Sequence, residues 1–297
     1  MFEFPIDRET LEQESSRILE DTDYEKYLAL TPEERTQRIL VIQELITAEN
    51  QISNNQPELL RELGRLYHAA KDYEKAIASY DQAVKFKPDY HQAWNNRGIA
   101  LFNLGRNEEA ILSYNQAVKF KPDDHEAWYN RGVALSDLGR KEEAITSYDQ
   151  ALKFKPDYHE AWYNRGIALS NLGRKEEAIL SYNQAVKSNP DDHEAWNNRG
   201  IVLSDLRRKE EAIASYDQAV KSKPDFHQAW NNRGIVLSDL GRKEEAIASY
   251  DQAVKFKPDF HQAWFHRGIA LSNLGRNEET IASYDQAVKF KPDFHQA

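Results

Sequence analysis

A chain of 297 residues with 40% hydrophobic and 30% charged side chains is long enough for one or two domains and too apolar to be disordered. Cysteine is absent, which excludes disulfide frameworks, zinc-thiolate sites, iron-sulfur clusters and thiol nucleophiles. The formal charge of -10 argues against broad nucleic-acid binding, which needs clustered Lys and Arg to neutralise phosphates.

The N-terminus, from Met1 to Pro5, has no basic region followed by an apolar stretch. No window reaches the roughly 18 apolar residues that cross a bilayer, so no membrane partner is expected and the chain reads as cytoplasmic. Residues 1–56 hold 13 acidic and five basic side chains, so most of the net negative charge sits there. Residues 1–30 read as a shorter acidic helix plus linker. Thr31-Pro-Glu-Glu then opens a helix from Pro32 to Glu49 carrying Ile39, Leu40, Ile42, Leu45 and Ile46. This acidic extension is expected to cap the first helical hairpin of the remaining chain. The competing readings are a separate partner site or a dimer contact.

From residue 57 a period of 34 takes over. All six tryptophans obey it, from Trp94 and Trp128 through Trp162, Trp196 and Trp230 to Trp264, as do prolines from Pro88 to Pro292. Within one period, Ala93, Trp94, Gly98, Leu101 and Leu104 fall at helical spacing, and so do Ala110, Ile111, Tyr114, Ala117 and Val118. Each period is therefore two amphipathic helices. Gly105 is expected as a left-handed cap between them, and Pro122 ends the second. Asp89, three residues before Gln92, is expected to cap the next first helix. Gly98 and Ala110 are expected to let helices approach closely, and a lone hairpin must stack on its neighbours to bury its second apolar face.

Trp94, Gly98, Leu101, Gly105, Ala110, Tyr114, Ala117 and Pro122 resemble the tetratricopeptide signature position for position. The resemblance covers seven units, 57–90, 91–124, 125–158, 159–192, 193–226, 227–260 and 261–294, with residues 295–297 opening an eighth and 1–56 lying outside. The first unit diverges but keeps Leu60, Gly64, Tyr67, Ala76, Tyr80, Ala83 and Pro88. It implies an all-α, right-handed superhelical solenoid whose first helices line a concave groove that binds a protein or peptide.

On a helical wheel, the face opposite the Trp94 stripe carries Gln92, Asn95, Asn96, Ile99, Phe102 and Asn103. One of these positions holds Asn96, Asn130, Asn164, Asn198 and Asn232, followed by His266. Side-chain amides donate and accept, so such a row could bond an extended peptide backbone with little sequence selectivity. The row is similar to the asparagine ladder of the nucleocytoplasmic sugar transferase that modifies serine and threonine, another member of the family. The alternative is that these asparagines cap or bridge neighbouring helices. Tyr129, Tyr163 and Phe265 offer apolar contact, and Asp137, Asp205 and Asp239 add negative charge, together with Glu126, Glu160 and Glu194; a neutral to basic partner segment is expected. The carboxylate clamp of co-chaperone repeats is only partly matched: Arg61, Arg65 and Asn96 suit it, whereas Glu126 and Asn130 stand where it needs basic residues.

The histidines that open units, from His91 to His261, are read as helix-start packing rather than a metal site, because stacked helices stand roughly 10 Å apart. Arg207 takes the place of a cap glycine, and Ser188 and Ser222 take the place of phenylalanine, so the segment from Ser188 to Pro224 is expected to be softer than its neighbours. The sequence stops at the opening of a unit, which suggests a longer parent protein. No phosphate loop, Gly-x-Ser-x-Gly turn or His-Glu-x-x-His pair is present, so no catalytic residue, cofactor or metal is assigned. The leading expectation is a scaffold or adaptor. The alternatives are the recognition arm of a peptidase, glycosyltransferase or signalling ATPase, and a self-associating solenoid.

Overall fold

The computed structural model describes residues 24–49 and 55–292, together with residues 13, 16, 18 and 19. The acidic segment before Tyr24 and the opening of an eighth unit at 295–297 lie largely outside the described residues. Sixteen helices and no strand are defined among the described residues. Two precede the repeats, α1 (Tyr24–Ala29) and α2 (Pro32–Glu49). The hairpins come next as α3 (Gln56–Ala69) with α4 (Tyr73–Phe86), α5 (His91–Asn103) with α6 (Asn107–Phe120), and α7 (His125–Asp137) with α8 (Lys141–Phe154). Four more are α9 (His159–Asn171) with α10 (Lys175–Ser188), α11 (His193–Asp205) with α12 (Lys209–Ser222), α13 (His227–Asp239) with α14 (Lys243–Phe256), and α15 (His261–Ser272) with α16 (Asn277–Phe290). The chain is an all-α repeat solenoid. It divides into two compact units, residues 1–154 and 155–297. Within the first, α4 packs on α5 and α6 on α7; within the second, α10 packs on α11, α12 on α13 and α14 on α15.

The two turns of each repeat have different chemistry. Between the helices of a hairpin, Gly105 takes φ +74°, its N–H bonds Phe102 O at 2.8 Å, and Arg106 N–H reaches back to Leu101 O at 2.9 Å. This is the Schellman arrangement, in which a left-handed residue lets the last carbonyls be satisfied. Arg207 adopts the same conformation at φ +61° despite its β-carbon, as does Lys71. Between hairpins, Pro88 and Asp89 form the centre of a turn closed by Tyr90 N–H on Lys87 O at 3.0 Å. Asp89 therefore does not cap the next helix, contrary to the sequence expectation: the cap position falls one residue later. There Asp124 and Asp192 accept from Ala127 N–H and Ala195 N–H, whereas Tyr90, Tyr158, Phe226 and Phe260 make no side-chain cap.

Packing within a hairpin centres on a fully buried tyrosine. A β-carbon built on Gly98 would stand 2.5 Å from Tyr114 Cε1, and Gly64, Gly132, Gly166, Gly200, Gly234 and Gly268 face Tyr80, Tyr148, Tyr182, Tyr216, Tyr250 and Tyr284 in the same way. Around this contact Ala100, Leu101, Ala110 and Ile111 form the core. The tryptophans are half-buried edges of it: each indole N–H bonds the proline carbonyl six residues earlier, as Trp94 does to Pro88 O at 2.9 Å. An arginine three residues on stacks over each indole. The same arginine also bonds the serine of its own second helix, as Arg97 Nη1 does to Ser113 Oγ at 2.6 Å and Arg199 Nη1 to Ser215 Oγ at 2.6 Å. In Arg97, Arg131, Arg199, Arg233 and Arg267 the Nε reaches the second helix of the preceding hairpin, as Arg199 Nε meets Asn183 Oδ1 at 2.6 Å.

The histidines take up helix-start contacts, as expected: His91 Nδ1 lies 3.1 Å from Asp124 Oδ2, and His193 and His227 meet Phe226 and Phe260 edge-on. The phenylalanines that close second helices are less buried than the sequence suggests. Phe120 and Phe256 are 38% and 39% exposed, so serine at 188 and 222 removes less apolar contact than a core substitution would.

Ahead of the repeats, Thr31 and Glu34 form a reciprocal capping box that starts α2. Ile42 and Leu45 of α2 and Tyr27 of α1 are buried with Leu59, Leu63 and Leu66 of α3. Tyr27 O–H donates to Glu62 Oε2 at 2.7 Å, and Arg38 and Arg65 stack over its ring.

Two substitutions probe these contacts. Gly98→Ala is expected to destabilise by about 1 to 3 kcal/mol, because the overlap with Tyr114 outweighs the gain in helix propensity; urea denaturation measures it. Arg207→Gly is expected to stabilise by about 1 kcal/mol by relieving the left-handed β-carbon, and to slow hydrogen exchange between Ser188 and Pro224.

Candidate interaction surface

The first helices of the hairpins carry the asparagine row, and the structure shows what its amides do. Asn130 Nδ2 donates to Asn95 Oδ1 at 3.2 Å, Asn198 Nδ2 to the Tyr163 hydroxyl at 3.1 Å, and Asn232 Nδ2 to Asn197 Oδ1 at 3.1 Å. His266 Nδ1 pairs with Asn231 Oδ1 at 3.0 Å, and burial lowers its pKa from the ordinary histidine value. Each partner lies 35 residues earlier, one position more than a full repeat, so each of these rungs ties the first helices of consecutive hairpins. Tyr27 and Glu62, also 35 residues apart, extend the register into α1. Asn164 is half-buried on α9.

The acceptors were missed by the helical wheel, which put Asn95 on the open face. Asn95, Asn197 and Asn231 are in fact buried, each bonded by a side chain of the next first helix. The available signal was within the sequence: Asn95, Tyr163, Asn197 and Asn231, each one residue before the row, supply the partner atoms. The arginine series from Arg97 to Arg267 was also missed, although it keeps the same period as the tryptophans.

One rung is broken. The residue 35 before Asn96 is Arg61, whose Nε and Nη2 both donate to the buried carboxylate of Glu62. Asn96 makes no side-chain hydrogen bond among the described residues. It lines a cleft of about 520 Å³ shared with Arg61, Arg65, His68, Ile99 and Glu126. Arg65 also binds Glu62, at 2.9 Å, so the two arginines that suit a carboxylate clamp are already engaged. Burial holds the pKa of His68 below its ordinary value, and Asn103 lies 2.9 Å from its Nε2.

The other predicted positions are half-buried or intramolecularly paired. Tyr129, Tyr163 and Phe265 lie against Tyr148, Tyr182 and Tyr284 with ring centroids 5.9 to 6.2 Å apart. Tyr163 also meets Glu194 at 3.2 Å, and burial followed by that carboxylate raises its pKa. Asp137 accepts from Asn107. Asp205 pairs with Lys175 at 3.0 Å and Asp239 with Lys209 at 3.6 Å, which offsets part of the expected negative charge.

Sequence profiles described as Tetratricopeptide repeat match residues 129–193, 163–225, 197–259 and 231–293, and one described as TPR repeat matches 64–105 and 100–139. The chain belongs to the tetratricopeptide-repeat family. Among curated proteins, 61 residues are 36% identical to the peroxisomal targeting signal 1 receptor of Dictyostelium discoideum, covering 20% of this chain and 10% of that receptor. The match therefore spans only a tenth of the relative's length. Among solved structures, the crystal structure of YrrB, described as a TPR protein with an unusual peptide-binding site, aligns with TM-score 0.56 and 22% identity. It covers 62% of this chain and 95% of that one. A tetratricopeptide repeat protein from Parabacteroides merdae aligns with TM-score 0.58 and 18% identity over 81% of this chain and 95% of its own. At these identities the structural likenesses show the fold alone. Tetratricopeptide repeats suggest protein–protein interaction, and no helix among the described residues is long and apolar enough to cross a membrane.

The rung geometry separates two asparagines of the row. Asn130→Ala is expected to cost about 1 kcal/mol, because it leaves the buried Asn95 carbonyl without its donor. Asn96→Ala is expected to leave the melting temperature unchanged, and differential scanning calorimetry of both variants checks the contrast.

Proposed function

We propose that this chain is an adaptor that binds an extended, neutral to basic peptide segment of a partner protein along the face of its first helices. The observation that carries this reading is the broken rung: the Asn96 amide, with no partner among the described residues, beside a cleft of about 520 Å³. An unpaired amide offers a donor and an acceptor to a peptide backbone. In the Asn130 and Asn232 rungs the asparagine spends one N–H on its neighbour, and an amide has further hydrogen-bonding groups for the same purpose.

Electrostatics favour the charge preference. Glu126 is exposed at the cleft and Asp124 contributes a second carboxylate, whereas Arg61 and Arg65 are tied to Glu62. A basic or neutral segment meets these carboxylates without displacing the arginines, and an acidic tail would have to compete with Glu62. The likeness to a structure described by its peptide-binding site and to a targeting-signal receptor agrees with a peptide as ligand. In this reading α1 and α2 cap the first hairpin and close that end of the row.

Selection from a random peptide library on the full chain, followed by calorimetric titration of the selected peptides, tests the proposal. Binding to the wild type, weakened about tenfold by Asn96→Ala at unchanged melting temperature, is the expected outcome, equivalent to about 1.4 kcal/mol. Selected peptides that bind Asn96→Ala as tightly as the wild type would place the contact elsewhere. A concentration-dependent rise in mass without peptide binding would favour self-association.

A further inference from the structure

The ends of the second helices form an edge distinct from the first-helix face, and it carries aromatic rings in water. In residues 1–154 these are Phe86, Phe120 and Phe154, exposed by 55%, 38% and 38%. Lysines flank them: Lys119 and Lys153 place their ammonium groups 5.5 and 5.4 Å from the rings of Phe120 and Phe154, and Lys85 and Lys121 are exposed beside them. Lys87 is engaged with Glu58 at 2.9 Å.

Helix geometry accounts for the lysines in part, since cations favour the C-terminal end of a helix dipole. It does not account for the rings. The repeats ending in Ser188 and Ser222 show what the same turn does without them. Their cap residues have φ/ψ of -134°/91° and -135°/92°, against -132°/87° after Phe120, and each cap N–H bonds the equivalent alanine carbonyl. The nearby valines, Val186 and Val220, are as buried as Val118. A phenylalanine at this site is thus dispensable to the hairpin, yet three consecutive hairpins of residues 1–154 present one to solvent.

We infer that the edge formed by Phe86, Phe120 and Phe154 with their lysines is a second docking surface, for an acidic segment of a partner protein that carries apolar side chains. Carboxylates of that segment meet Lys119, Lys121 and Lys153, and its apolar side chains cover the exposed rings, so charge and apolar area are engaged together. A discrete segment fits better than an anionic lipid surface or a nucleic acid, because exposed Asp89 and Asp123 alternate with the lysines along the edge and the chain carries a net charge of -10. A continuous polyanion would meet those aspartates; a peptide can place neutral residues opposite them.

Fluorescence anisotropy with a labelled (Glu-Glu-Phe)4 peptide tests the inference on the full chain, with a twelve-residue polyglutamate and vesicles containing phosphatidylserine as comparisons. Expected are saturable binding of the mixed peptide, at least tenfold weaker binding of polyglutamate, and no vesicle binding. Phe86→Ser with Phe120→Ser and Phe154→Ser should weaken the mixed peptide at least tenfold. Lys119→Gln with Lys121→Gln and Lys153→Gln should do the same, both at unchanged circular dichroism, while Asn96→Ala should have no effect. Failure to bind the mixed peptide, equal affinity in the serine variant, or vesicle binding in its absence would overturn the inference. An effect of Asn96→Ala equal to that of the edge variants would assign the peptide to the first-helix face instead.

Discussion

The contact on which the rest of the structure depends is the one between a first-helix glycine and a second-helix tyrosine. With no β-carbon at Gly98, the ring of Tyr114 lies directly against the backbone of α5, and the two helices approach more closely than any other residue would permit. That separation determines where Arg97 can reach: its guanidinium stacks on Trp94 and bonds Ser113. The tyrosine fills the volume beside Ala100 and Leu101, so the small residues around it are consequences of the same contact. Because each hairpin repeats this geometry, stability is approximately a sum of equal hairpin and interface contributions, and a local departure such as Arg207 is felt mainly by its neighbours.

The asparagine row arises from stacking rather than from the hairpin itself. When first helices lie side by side at this spacing, a side-chain amide on one reaches the residue one position earlier on the previous helix. The rungs are therefore both structural and chemically incomplete, since an amide has more hydrogen-bonding groups than one neighbour can satisfy. The amides of Asn130 and Asn232 are engaged within the chain, whereas Asn96 has no such rung because Arg61 is drawn away by Glu62. The buried Glu62 carboxylate is itself compensated by Arg61, Arg65 and the Tyr27 hydroxyl, so α1 adds one donor to a charge cluster of the first hairpin. Removing Tyr27 would leave that carboxylate with one donor fewer in a site where unpaired charge is costly.

Two kinds of surface result. The first-helix face is amide-rich, concave at the cleft beside Asn96, and carries its carboxylates mostly in pairs with lysine or histidine. The second-helix edge is lysine- and phenylalanine-bearing, and the serine-containing hairpins show that its rings are not required for folding. The different chemistry of the two surfaces arises from one repeat because first and second helices have opposite relationships to the core. Side chains on the first helices are partly covered by the next hairpin, whereas the last residues of the second helices project past it into solvent.

Much of this was legible in the sequence because periodic features are local. The 34-residue spacing of tryptophan and proline, the glycine before each second helix and the Gly98–Tyr114 register are determined by helix geometry and turn chemistry, which short segments encode by themselves. The residues of the candidate face were legible as a row, since any substitution recurring at one position shows. What the row bonds to was decided only by tertiary structure, because the next first helix sets which of Asn95 and Asn96 is covered, and no wheel drawn for a single helix contains that neighbour. The burial of Glu62, which draws Arg61 out of the row, was likewise decided by tertiary structure, because the carboxylate is covered where Tyr27 of α1 packs against α3, a contact between segments written in neither of them.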